Sequence, residues 1–124
     1  MAAGTGITAT ITDISGESTR VFNLNLSNWH PQRWTPINWE WSSFDTIRLM
    51  KGLSEVDVPF KNIDYLEYDW SKNPPAAEVK TVNGAVIKGQ PLRIGENWYF
   101  RAQTDYGEFK LSTNDTKRIE FSFD

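Results

Sequence analysis

In Leu66-Glu67-Tyr68-Asp69-Trp70, and again in Ile119-Glu120-Phe121-Ser122-Phe123, apolar and polar residues alternate one for one. That is the period of a strand, whose successive side chains point to opposite faces. An amphipathic helix would instead repeat its apolar positions every three or four residues, and no window of the chain carries such a stripe. Both runs therefore predict half-buried strands, and each predicts an apolar row turned to a core.

The two runs belong to longer stretches that resemble each other. Residues 56–68 lie over 109–121 with apolar on apolar at the strand positions, Glu55 on Glu108, Glu67 on Glu120, Arg48 on Arg101 and Trp70 on Phe123. Upstream, residues 16–24 lie over 84–92, at a different offset, so the first copy carries an insertion between Leu24 and Thr46. The expected organisation is repeat one over 6–70 with a Trp-rich insertion at 25–45, a linker at 71–77, and repeat two over 78–124. Strands are expected near 6–12, 18–26, 44–51, 54–59 and 63–70, and near 77–82, 85–94, 98–104, 107–112 and 117–123. Asn83-Gly84, Gly95-Glu96-Asn97 and Asp105-Tyr106-Gly107 supply turns. Residues 60–64 and 112–115 could each form a single helical turn. Pro74 and Pro75 cannot donate to a ladder and predict an extended spacer between the copies.

The fold class is thus all-β, two degenerate five-strand repeats forming a small barrel pair or a sandwich. With 124 residues in all, a repeat alone is marginal without metal or disulfide, and shared packing is the expected remedy.

The stretch Val79 to Gly89 with its Asn83-Gly84 turn, then Thr104-Asp105-Tyr106-Gly107, then Ile119, resembles a small repeat domain of bacterial envelope proteins. The first copy departs from that pattern, since Val21 stands at the place of Gly89 and residues 51–54 replace the Thr-Asp-Tyr-Gly turn. The resemblance implies a compact Sm-like or SH3-like β module, an envelope setting, and no catalytic residues to carry over.

The chemistry-bearing residues are few. The chain has no cysteine and one histidine, His30, which excludes disulfides, thiolate zinc sites, cysteine nucleophiles and multi-histidine metal centres. No G-x-S-x-G elbow accompanies His30, which reads as a packed loop residue. Asp105-Tyr106-Gly107 reads as a hairpin turn, and neither Gly84 nor Gly89 has the strand-then-helix setting of a phosphate loop. Glu40, between Trp39 and Trp41, is the best single candidate for a glycosidase acid, but on a strand it points away from both indoles into solvent. No cofactor is expected.

Lys and Arg number 13 against 16 Asp and Glu, a net charge of -3 with no block of like charge. That balance lacks the basic field of a nucleic-acid binder. No apolar stretch is long enough to span a membrane, and residues 1–9 lack a secretion signal. The richness in Thr, Asn, Ser and Trp with no Cys leans to a bacterial envelope or secreted setting, with a cytoplasmic one as the alternative.

Four of the six tryptophans fall in the insertion, Trp29, Trp34, Trp39 and Trp41, together with His30 and Arg33. Tryptophan offers a large rigid contact area at low entropic cost. These six residues are the candidate ligand or partner contacts. Trp39 and Trp41 share a face and could plug an open barrel end; Trp29 and Trp34 are the pair expected to be exposed.

The functional expectation is a non-enzymatic structural or adaptor module that works through protein contacts, self-association included, with Pro59, Lys110 and Lys117 blunting sheet edges. Two alternatives stand beside it: a carbohydrate-binding module that uses the Trp-rich insertion, and a small glycoside hydrolase-like enzyme.

Overall fold

Nearly every alternating stretch becomes a strand in the computed structural model, which describes residues 6–122. In chain order the strands are β1 (Thr8–Asp13), β2 (Ser18–Pro31), β3 (Trp39–Phe44), β4 (Thr46–Lys51), β5 (Ser54–Pro59), β6 (Ile63–Asp69), β7 (Ala76–Thr81), β8 (Val86–Pro91), β9 (Trp98–Thr104), β10 (Gly107–Ser112) and β11 (Thr116–Ser122). Single 3₁₀ turns at Phe60–Asn62 and Thr113–Asp115 separate β5 from β6 and β10 from β11. Among the described residues no helix is long and apolar enough to cross a membrane.

All pairings are antiparallel, and the strands form one sheet in the order β10-β9-β2-β1-β11-β6-β7-β8-β4-β5, with β3 added to β2. The sheet does not close into a barrel. The expected barrel pair is corrected on this point: among the described residues β10 and β5 end the sheet, each paired on one side only.

The order reads the same from either end once β1 is matched with β7, β2 with β8, β4 with β9, β5 with β10 and β6 with β11. The bounds of three matched pairs keep step, Thr8–Asp13 with Ala76–Thr81, Ser54–Pro59 with Gly107–Ser112 and Ile63–Asp69 with Thr116–Ser122, while β9 (Trp98–Thr104) starts one residue earlier than its match Thr46–Lys51. At the centre β11 meets β6 with Ile119 opposite Leu66. The hairpin β1–β2 inserts between β11 and β9, while β8 of the β7–β8 hairpin carries β4. Neither half of the chain builds a sheet from its own strands alone.

Three further expectations are revised. Residues 71–77 are no extended spacer, because β6 and β7 pair directly, Tyr68 with Ala77 and Asp69 with Ala76, and the prolines lie in the connection between them. Lys117 guards no edge, since β11 lies inside the sheet between β1 and β6. The insertion forms the far end of β2 and the whole of β3, joined by a loop over residues 32–38.

The core draws on both halves. Ile11, Leu24, Leu26, Ile47, Leu49 and Leu66 are buried with Val79, Phe100, Ile119 and Phe121 in one cluster. Tyr68 is also buried, and Trp70 is half-buried with its indole N–H donating to the Thr116 carbonyl at 2.7 Å. Phe123, the last member of its row, lies outside the described residues. Where β8 approaches β4, a Cβ on Gly89 would come within 2.3 Å of the Met50 carbonyl oxygen, so only glycine allows this approach.

Candidate functional site

The site begins with a strand that outruns its neighbours. β2 pairs with β1 as far as Phe22 opposite Thr8, and from Leu26 the same edge is taken by β3. On its other edge β9 accompanies β2 only as far as Asn28 opposite Trp98. Trp29 N–H still donates to the Asn97 carbonyl at 2.8 Å; beyond it residues 30–31 and 39–40 pair with each other, His30 with Glu40 and Pro31 with Trp39, and project as a two-stranded tongue tipped by residues 32–38. Two backbone bonds close the tip, Gln32 N–H to Asn38 O and Asn38 N–H to Thr35 O, both 2.8 Å.

A two-stranded ribbon has no core beneath it and needs cross-strand contacts to hold its shape. Here aromatic rings supply them on one face. Trp29 lies between Trp41, at 5.0 Å between centroids, and Trp39, at 6.1 Å. The chain of rings continues through Trp41 to Tyr99 of β9, edge to face at 5.8 Å. The Arg101 guanidinium sits 4.1 Å over Trp41 and the Lys110 ammonium 4.9 Å over Tyr99. The tip lies beyond these contacts, with Trp34 84% exposed, Ile37 90% and Arg33 5.1 Å over Trp34; Trp39, at its base, stays 43% exposed despite its contact with Trp29.

The structure thus gathers Trp29, Trp39 and Trp41 on one face and sets Arg33 and Trp34 at the tip. The expected exposed pair, Trp29 and Trp34, is corrected to Trp34 and Trp39, because Trp29 occupies the middle of the stack. Trp39 and Trp41 plug no barrel end, since they lie on a tongue of an open sheet. His30, expected in a loop, is a strand residue of β2 opposite Glu40. Its Nδ1 lies 2.8 Å from the Pro31 carbonyl, which can only accept, and its Nε2 lies 2.6 Å from the Ser42 hydroxyl. Neutral His30 is then the Nδ1–H tautomer and takes the Ser42 hydrogen. A serine triad needs a carboxylate at that Nδ1, and a backbone carbonyl stands there instead. Glu40 is exposed on the face opposite Trp39 and Trp41.

The carboxylates that lie closest in register, Glu67 and Glu78, face each other across β6 and β7 beside a shallow open cleft that Lys72 and Lys88 also line. Glu67 accepts from Arg118 Nη1 at 2.5 Å, and Glu78 from the Tyr65 hydroxyl at 2.6 Å. That hydroxyl holds Glu78 below the usual carboxylate range. A general acid requires the opposite shift. Among the described residues no group of three or more His, Asp or Glu side chains is placed to hold a metal ion.

Reading the chain alone missed Tyr99 and Arg101 as neighbours of Trp41, Lys110 as the cation over Tyr99, and Ser42 as the partner of His30. Tyr99 and Arg101 share the strand alternation of residues 98–104, but nothing in that alternation says that β9 would lie against β2. No family model, curated protein or solved structure matches the chain.

Proposed function

We propose that the chain is a non-enzymatic contact module, a structural or adaptor component of a bacterial envelope or extracellular assembly, and that the β2–β3 tongue engages its protein partner. The observation that carries this reading is the exposure of Trp34, Ile37 and Trp39 within six residues at the end of a projecting ribbon. Single exposed apolar residues are ordinary on a soluble domain, whereas a cluster rimmed by polar groups marks an interaction surface. Protein contact is favoured over sugar stacking because Trp29, Trp39 and Trp41 turn their ring faces toward one another, and Arg101 covers Trp41. A sugar platform needs open, level ring faces.

Two copies of one five-strand unit, Sm-like or SH3-like and related to the envelope repeat domain, form the scaffold in this proposal. The matched strand bounds and the sheet order that reads alike from both ends support the duplication. The tongue is the element that one copy has and the other lacks.

The test compares the wild-type chain with the double variant Trp34→Ser/Ile37→Ser, immobilised and exposed to extracts of the source cells. Retention of one defined protein by the wild type, with loss in the variant at unchanged thermal stability, is the expected outcome. Equal retention by both chains would remove the tongue as the contact surface.

A further inference from the structure

The two ends of the sheet are built alike and charged differently. At one end the registered cross-strand pair Arg48 and Asp57 joins β4 to β5 through a two-pronged bond, Nε to Oδ1 at 2.8 Å and Nη2 to Oδ2 at 3.1 Å. The matching pair at the other end, on β9 and β10, is Arg101 and Lys110. Like charges directly opposite each other on a sheet repel, and here both cations are held in place over Trp41 and Tyr99. Among the described residues no carboxylate lies within ion-pair distance of either.

The edges differ in the same sense. β5 offers an incoming strand Glu55 and Pro59, a negative charge and a residue with no N–H, while Asp57 is taken up by Arg48; together these discourage pairing. β10, Gly107-Glu108-Phe109-Lys110-Leu111-Ser112, has no proline, and no described strand pairs with its outer side. An edge lysine usually serves to repel another chain. It repels basic strands and admits acidic ones; Glu108 lies on the same face two residues away, and Arg101 opposite Lys110 leaves the cations in excess there.

We propose that the β10 edge binds an extended acidic segment of a partner protein as an added strand, with a partner carboxylate received between Lys110 and Arg101. Main-chain hydrogen bonds to β10 would supply affinity, and the cation pair on its aromatic bed would supply selectivity. This inference rests on the protein-contact reading above and adds the chemistry of the partner. The tongue tip and the β10 edge are separate surfaces, so variants at one leave the other intact.

The probes are two blocked heptapeptides, Thr-Glu-Val-Glu-Val-Glu-Thr and its counterpart with lysine at every glutamate position. Titration is followed by tryptophan fluorescence, to which Trp41 contributes along with the other five indoles, and by amide chemical shifts, which locate the contact. The acidic peptide is expected to bind with the largest shifts on β10, and the basic peptide not at all. Lys110→Asp, which copies the Arg48 and Asp57 arrangement, is expected to keep the fold and weaken the acidic peptide about tenfold or more. Equal binding of both peptides, undiminished binding to Lys110→Asp, or shifts away from β10 would each overturn the proposal. So would β10 shifts that appear on concentrating the protein alone, which would make a second copy the occupant, or binding of dextran sulfate without the acidic peptide. The Trp34→Ser/Ile37→Ser chain should bind the acidic peptide normally, so loss of the tongue contact and loss of the edge contact are read separately.

Discussion

At Gly89 the tolerance of the fold is less than one methyl group. The atom that a Cβ would strike is a backbone carbonyl, that of Met50, which cannot swing aside as a side chain could. Gly89→Ala is expected to push β8 from β4 beside the Gln90 and Met50 pair and to cost about 1–3 kcal/mol. The measurement is urea unfolding, where the midpoint should fall at an unchanged slope; an unchanged midpoint would mean the strands can part freely there. The sequence reading set Val21 at the place of Gly89, and Val21 is fully buried. The reason glycine is required at one place and valine at the other is a packing distance, and no pattern of residue types encodes a distance.

The tongue shows the same division between what residue order carries and what it does not. Strand character at Trp39–Phe44 is legible in hindsight from the alternation of Trp39 and Trp41 with Glu40 and Ser42. Its partner is not, because the choice of β2 over any other strand follows from where the Trp29, Trp41 and Tyr99 rings meet. The same holds for the sheet: β9 and β10 were legible to the residue and β7 and β11 to within one, since turn chemistry at Asn83-Gly84 and Asp105-Tyr106-Gly107 marks ends there, while the strand expected at 85–94 stops at Pro91. The insertion of β1–β2 between β11 and β9 was not, since alternation marks a face and leaves the neighbour open. Removing the central ring tests what holds the ribbon. Trp41→Ala loses contacts with Trp29, Tyr99 and Arg101, and an aromatic pair contributes about 0.5–1.5 kcal/mol beyond its buried area. Trypsin should then cleave after Arg33 several times faster than in the wild type, as read by mass spectrometry, while cleavage after Lys80 in β7 stays slow. Equal rates at Arg33 would show that the tip bonds alone hold the ribbon.

In the whole molecule the interleaving of halves governs folding. Among the described residues β1 and β2 find partners only in each other, in β3 and in strands of the second half, so a fragment covering residues 6–70 should lack strand signal in circular dichroism. The fragment 45–92, which holds the mutually paired β4 to β8, should retain more. If residues 6–70 fold alone, the halves are independent and the crossing pairs are secondary. Acid is expected to weaken the intact molecule. Asp13 is held below its ordinary range by the Ser15 hydroxyl, Asp57 by Arg48, Asp69 by Ser71 and Glu78 by the Tyr65 hydroxyl. The unfolded chain then takes up protons first as pH falls, so the contribution is complete above the unfolded carboxylate values near 4 and is lost below them. Thermal midpoints should be level from pH 7 to about 5 and drop toward pH 3. A flat profile would show that these bonds form equally in the unfolded chain.

Because the strand order reads alike in both directions, the tongue has a counterpart address with nothing built on it. The first half leaves β2 and returns at β4 by way of the ribbon, while the second half passes from β8 to β9 through residues 92–97 alone. A second ribbon grafted into that short crossing would turn a one-handed molecule into a two-handed one, able to bridge a pair of identical targets by avidity.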